Sequence, residues 1–339
     1  MIGSVFRFAE YRRINKFHKC LLLFATYCYE RYCNIFLQRW KRKICFRMEK
    51  PGYILYNQSR EVKAVIKLIA SDLDGTLLTD SKELSQTTVQ ILDMAVKKGI
   101  YVIPATGRSF RAIPEQIRNY PGIRYVITSN GGAIYSVLEN KRIYQCLLNG
   151  QTVEEALDIQ VPENTAIELF VDGIPYSEES YVRFPEKYGA TEYGAKYVRE
   201  TRIPVKDIKA FAMEHRTELD SMAFICGDRA GKCTLEKQLR DSLSDAYITS
   251  SVPHMVEIGH KNAGKGNTLL YLMRLLGISP DEAIAFGDAD NDCSMLEAVK
   301  YGVAVGNATE ACKKAAAFVT ASNEEDGVAK AVRQFLQKA

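Results

Sequence analysis

Asp72 and Asp74 stand two residues apart at the end of an apolar run, Val65-Ile66-Lys67-Leu68-Ile69-Ala70, and Gly75 follows them. The run reads as a buried strand. In an extended chain residues i and i+2 point to the same side, so both carboxylates reach one site while Leu73 turns away. Two acids in one place suit a nucleophile and a proton donor. Gly75 lets the backbone turn sharply beside them. Asp-Gly between apolar residues is equally a hairpin-turn signal, so the pair decides nothing alone.

Further segments along the chain supply complementary chemistry. Thr106-Gly107-Arg108 ends a second apolar strand, Ile100 to Ala105. A hydroxyl and free backbone N–H groups at a strand-to-helix turn suit a phosphoryl oxygen, although Thr106 also reads as an ordinary helix N-cap. Lys265 lies between Gly264 and Gly266 and opens a helix with apolar periodicity from Leu269 to Leu276. A cation at a helix N-terminus opposes the dipole, which points to an anionic ligand or a carboxylate partner; a plain surface lysine is the alternative. Gly287-Asp288-Ala289-Asp290-Asn291-Asp292 follows the strand Ala283–Phe286. Aspartates crowded this closely repel one another unless a cation joins them. Hard oxygen ligands suit Mg2+, and a solvated acidic turn is the competing reading.

The elements that must position these residues alternate from Val65 onward. Strand Val65–Asp72 precedes a helix capped near Ser85 and stopped at Gly99. Strand Ile100–Ala105 leads into a helix from about Arg108, and strand Tyr125–Ser129 ends at Asn130-Gly131-Gly132. After Lys265 come a helix, strand Ala283–Phe286, helix Cys293–Val299, strand Gly302–Val305, a short helix, strand Ala317–Thr320 and a last helix to Gln337. This alternation predicts a parallel sheet with helices on both faces. Ligands bind such sheets at the carboxyl ends of the strands, where the motifs fall. Residues 145–255 break the rhythm, with strands expected at Ile167–Val171, Met222–Cys226 and His254–Ile258 between polar helical stretches. They read as an α+β insertion. The expected domains are an N-terminal extension at 1–60, a core made of 61–144 and 256–339, and the insertion at 145–255.

The chain has 339 residues, 47% hydrophobic and 25% charged, enough for two domains. Its net charge of +4 is uneven: residues 1–50 hold 12 Lys/Arg and 3 Glu, leaving 33 basic and 38 acidic residues elsewhere. The mildly acidic body gives no argument for nucleic acid. Four of the nine cysteines lie in those first 50 residues, and the rest form no paired or metal-binding spacing. They read as reduced thiols of a cytoplasmic protein. The apolar run Cys20–Tyr29 is too short to span a bilayer, and no small-residue cleavage site follows it. A basic, aromatic segment also suits a membrane surface. The simpler reading is an appended or misassigned start, with initiation at Met48, and no membrane association of the core.

Together, Asp72-Leu73-Asp74-Gly75-Thr76-Leu77-Leu78, Ala105-Thr106-Gly107-Arg108, Lys265-Gly266 and Gly287-Asp288-Ala289-Asp290-Asn291-Asp292 resemble the signature of the haloacid dehalogenase superfamily of phosphatases. The order resembles its Cof-type branch, whose type IIB cap is inserted between the second and third motifs. The resemblance implies a Rossmann-like doubly wound parallel core with an α+β cap. It implies a Mg2+-dependent phosphatase acting on a small-molecule phosphate ester, such as a sugar phosphate. Asp72 would be the nucleophile and Asp74 the acid and base. The ion would be held by Asp72, the carbonyl of Asp74 and Asp288, with Asp292 orienting that set directly or from behind. Thr106, Gly107, Lys265 and Asn291 would grip the phosphoryl oxygens. A phosphate-transferring mutase on the same core is an alternative. Gly259-His260-Lys261-Asn262-Ala263-Gly264-Lys265 also matches a P-loop, but Gly266 stands where Ser or Thr is required.

Overall fold

The computed structural model of the protein describes residues 65–338; the expectations for the extension at 1–60 and for initiation at Met48 lie outside them. A strand buried on both faces needs an unbroken apolar run. Leu-Ile-Ala-Ser supplies it as β1 (Leu68–Ser71), with every residue buried. β1 is flanked by β2 (Tyr101–Pro104) and β12 (Ala283–Gly287), and the sheet continues through β13 (Tyr301–Ala304) to β14 (Phe318–Val319). Every pairing in this five-stranded sheet is parallel. Helices Gln86–Lys97, Lys265–Leu276, Cys293–Ala298, Glu310–Ala315 and Gly327–Lys338 accompany it, giving the expected Rossmann-like core. The first of them begins where expected, because the Ser85 side chain accepts the N–H of Thr88.

The helix expected from Arg108 is replaced by a 3-10 turn, Phe110–Ala112, and a single helical turn, Glu115–Arg118. Pro114 separates them: it has no N–H to donate and drives Ile113 to an extended conformation, φ −72°, ψ 132°. β3 (Tyr125–Thr128) also departs from expectation. It packs beside β2 but pairs with the chain at its end only as an isolated Ala105–Ile127 bridge, and it belongs to an antiparallel sheet with β4 (Ala133–Ser136) and β5 (Lys141–Gln145). The chain reverses there because Ser129, Asn130 and Gly131 all have positive φ.

The inserted cap is a six-stranded sheet in the order β10 (Ala246–Thr249), β11 (Met255–His260), β9 (Leu219–Cys226), β6 (Thr165–Val171), β7 (Ile174–Glu178), β8 (Ile203–Val205). The three strands expected from sequence lie in β6, β9 and β11. The other three are short or carry prolines, Pro175 and Pro204, which blur the alternating pattern. The expected boundary after residue 255 falls at the first residue of β11, all of which belongs to this sheet. Core and cap have separate apolar clusters, one including Leu68, Ile103 and Phe286, the other Leu169, Phe224 and Leu239. Among the described residues, no helix is long and apolar enough to cross a membrane.

Candidate active site

β1, β2 and β12 are neighbours, so their carboxyl ends deliver Asp72, Thr106 and Asp288 to one place. Lys265 reaches them from a helix start. Gly266 permits this: a Cβ there would lie 2.2 Å from the carbonyl oxygen of Ser294. Only glycine lets the helix beginning at Lys265 approach the one beginning at Cys293 so closely. The Lys265 ammonium is fully buried and donates at 2.6 Å to Asp72 Oδ1 and at 2.6 Å to Asp292 Oδ1. Burial alone would lower its pKa, but the charges of Asp292 and Asp72 more than reverse that and raise it. The dipole mismatch seen in the sequence is thus answered by carboxylates.

Asp292 Oδ2 accepts the backbone N–H groups of Asp288 at 2.9 Å and Ala289 at 3.0 Å. Its hydrogen bonds therefore fix the loop rather than leave it free for ligands. Asp288 Oδ1 accepts the hydroxyl of Thr76 at 2.5 Å. Asp72, Asp288 and Asp292 each offer a carboxylate oxygen, all within 4.8 Å of one another. Burial, then the neighbouring Asp292 charge, pushes Asp288 up to about 6. Burial raises Asp72 too; Lys265 opposes this, and Asp292, Asp288 and Asp74 reinforce it. Asp72 and Asp288, crowded together and each keeping an oxygen that accepts no hydrogen bond from the protein, are a donor pair that fits a hard divalent cation, with Asp292 holding the loop behind them.

Asp74 is placed differently. Arg108 grips it at both oxygens, Nε to Oδ2 at 2.6 Å and a terminal nitrogen to Oδ1 at 2.7 Å, and Lys82 adds a contact at 3.1 Å. Burial pushes this carboxyl up, but Arg108 and Lys82 outweigh it and hold it well below the usual carboxylate range. Asp74 is an ionised group in this arrangement, ready to take a proton only when it leaves Arg108.

Thr106 is buried and its Oγ1 accepts the N–H of Arg108 at 3.1 Å. Gly107 exposes its backbone toward the same space, and Asn291 closes the other side. A cavity of about 620 Å³ opens above these groups and extends to the cap, where Phe170, Tyr193, Tyr197 and His254 line it. Tyr197 lies 4.3 Å from the guanidinium of Arg108 and 4.5 Å from that of Arg202. Arg202 is itself held at Nε and one terminal nitrogen by the buried Glu168, at 2.7 and 2.8 Å. The cavity therefore joins the core groups to a cap wall of rings and a paired arginine.

All eight expected residues, Asp72, Asp74, Thr106, Gly107, Lys265, Asp288, Asn291 and Asp292, lie in this one region. Gly259 and His260 are the last residues of β11, and Lys265 is committed to two carboxylates, which leaves no phosphate cradle of the P-loop kind. Sequence reasoning gave no role to Arg108, Lys82, Asn130 or Glu257. Arg108 adjoins Gly107 and Asn130 follows a strand, so their signal was the strand-end rule itself. Lys82 and Glu257 carried no local signal.

A family model described as haloacid dehalogenase-like hydrolase matches residues 69–332. The chain belongs to that family. A Streptococcus pyogenes relative of this hydrolase is 31% identical over 278 residues, covering 80% of the chain and 98% of the relative. The 5-amino-6-(5-phospho-D-ribitylamino)uracil phosphatase of Bacillus subtilis is 29% identical over 275 residues, covering 80% of the chain and 96% of that enzyme. In fold, the hydrolase is similar to a subclass IIB sugar phosphatase of the superfamily, with a TM-score of 0.66 at 24% identity, over 79% of this chain and 98% of the other. The hydrolase is a Cof-type phosphatase, with the core and inserted cap that its motifs imply.

Proposed function

We propose that this hydrolase cleaves small phosphate monoesters, sugar phosphates or compounds of similar size, through a covalent phosphate on Asp72 and with Mg2+ as its ion. The observation that carries this reading is Lys265, buried between Asp72 and Asp292 beside Asp288. Stability alone does not account for such a cluster, because a well-packed apolar set in its place is often at least as stable.

Asp72 attacks phosphorus in line. Its oxygen forms the new O–P bond as the bond to the leaving oxygen breaks and carries its electron pair away. Asp74 leaves Arg108, takes up a proton from solvent and gives it to the leaving oxygen; it then takes a proton from a water whose oxygen bonds to phosphorus as the Asp72 O–P bond breaks, which frees orthophosphate and restores Asp72. Lys265 keeps Asp72 oriented and offsets the charge that accumulates. Thr106, Gly107 N–H and Asn291 hold the phosphoryl oxygens. Asp72, Asp288 and the carbonyl of Asp74 would hold Mg2+, with Asp292 fixing the loop behind. When bound, the ion draws charge from the phosphoryl oxygens and relieves their repulsion by Asp72. The cap covers the leaving group and keeps bulk water out.

The test is orthophosphate release from a panel of phosphate monoesters with Mg2+, with excess chelator, and after Mg2+ is restored. Turnover should vanish with chelator and return. Unchanged turnover in chelator would exclude the metal assignment. Isomerised phosphate ester without orthophosphate would establish the mutase instead.

A further inference from the structure

A line of three side chains runs from the cap to the phosphoryl end of the cavity. Glu257, on β11, is 6% exposed. Its Oε1 accepts Nδ2 of Asn130 at 2.8 Å, and its Oε2 accepts the backbone N–H of Ser251 at 2.7 Å. Asn130 Oδ1 in turn accepts Nδ2 of Asn291 at 2.9 Å.

The carboxylate dictates the sense of this line. An ionised carboxylate only accepts, so Asn130 must turn its NH2 toward Glu257 and its oxygen toward Asn291. Asn291 must then answer with NH2. That leaves one N–H and Oδ1 of Asn291 for other partners. Oδ1 is buried with no hydrogen bond, although Asn291 lines the cavity. Buried acceptors are almost always paired, and an orphan on a cavity wall marks where a bound molecule or its water completes the bonding.

The arrangement is held at a cost. Glu257 is buried with no ion-pair partner among the described residues, and burial raises its pKa. Asn130 sits in the left-handed region, φ 51°, ψ 34°, directly after Ser129 at φ 52°. Strained backbone of this kind persists where the surroundings demand it, commonly at working sites. The line also lies against the phosphoryl loop. A Cβ on Gly107 would be 3.1 Å from both Asn130 Oδ1 and Glu257 Oε1.

We propose that Glu257 and Asn130 are positioning residues for phosphoryl transfer: the carboxylate on the cap orients the Asn130 amide, which holds Asn291 with its free oxygen and second N–H facing the phosphoryl group and its waters. The inference rests on the proposed function, since it requires a phosphoryl group beside Asp72. It also gives the cap a part in the chemistry, because Asn291 is fully oriented only while β11 seats Glu257 on Asn130.

The test is a double-mutant cycle on the full chain with Mg2+ and p-nitrophenyl phosphate, using Asn130→Ala, Asn291→Ala and both together. Orthovanadate affinity and thermal midpoint are measured on the same proteins. Each single change should lower kcat by about tenfold or more, with KM changing far less, as loss of orientation does. The double variant should be no slower than the slower single one, because both act through Asn291. Glu257→Gln keeps the shape but lets the line reverse. It should lose a similar factor in kcat with its thermal midpoint nearly unchanged, and it stands in if Asn130→Ala fails to fold. Multiplying effects in the cycle would overturn the proposal, as would normal turnover by Glu257→Gln. A wild-type protein that releases no phosphate would refute the phosphatase reading; the cycle is then read on orthovanadate affinity, where additive losses or absent binding overturn the inference as well.

Discussion

Lys265 brings one fully buried positive charge between Asp72 and Asp292. Removing one member of such a buried set leaves the others uncompensated, which typically costs about 3–5 kcal/mol. Lys265→Ala should therefore lower turnover by about a hundredfold or more and also lower the urea midpoint, both measured on the same preparation. Full turnover in this variant would remove Lys265 from the site chemistry. Asp74 and its Arg108 clamp call for a different experiment. An alkoxide leaving group needs a proton in the transition state, and nitrophenolate needs little help. Asp74→Asn should lose most activity on alkyl phosphates yet form phosphoenzyme from p-nitrophenyl phosphate, trapped by acid quench and mapped to Asp72. Asp72→Asn should give neither turnover nor label. Equal loss on both substrates with no trapped phosphate would make Asp74 a structural partner of Arg108 instead.

Among the elements, the contact between helices Lys265–Leu276 and Cys293–Ala298 is the most exacting, since it sets the distance from Lys265 to Asp292. Gly266→Ala would drive a methyl group into the Ser294 carbonyl. Overpacking of this kind costs about 1–3 kcal/mol, so the thermal midpoint should fall by several degrees and turnover should fall with it. Gly277→Ala, at φ 66° in open space, should cost about 1 kcal/mol and leave turnover alone. Equal effects on turnover would show that the helix contact does not govern the site. The core was legible in the sequence for the same physical reason that it is rigid: β1, β2 and β12 are short, buried apolar runs, and each ends in a motif. The cap was legible only where a strand is long and buried, as in β6 and β9. β8 is three residues and largely exposed, so nothing in its pattern marks a strand. The Asp74–Arg108 clamp was not legible either, because spacing brings residues to one strand end but does not say which charges then pair.

For the whole molecule, stability should depend on metal and pH together. Asp288 has a folded-state pKa of about 6, above its ordinary value of 3.8. A carboxyl raised on folding favours the native state only while protonated. That contribution is complete below the ordinary value and is lost as pH rises through the folded one. A cation bound to the aspartates removes the repulsion that remains. Adding Mg2+ should therefore raise the thermal midpoint more at pH 7.5 than at pH 5, and much less in Asp288→Asn. An equal shift at both pH values, or an undiminished shift in the variant, would place the ion elsewhere.

The separation of the two apolar clusters bears on how this enzyme can change over generations. Phe170, Tyr193 and Tyr197 line the cavity on the cap side, yet they belong to none of the buried clusters that hold core and cap together. Most substitutions are purged because they erode a narrow stability margin, not because they touch a reacting group. Of the three rings, Tyr193 is 46% exposed, so a change at that ring meets the least of this filter. On the proposed function, a lineage carrying this architecture samples new leaving groups most readily through that ring, while the aspartates and Lys265 stay as they are. Diversity of substrate is then the cheap direction of descent, and diversity of chemistry the expensive one.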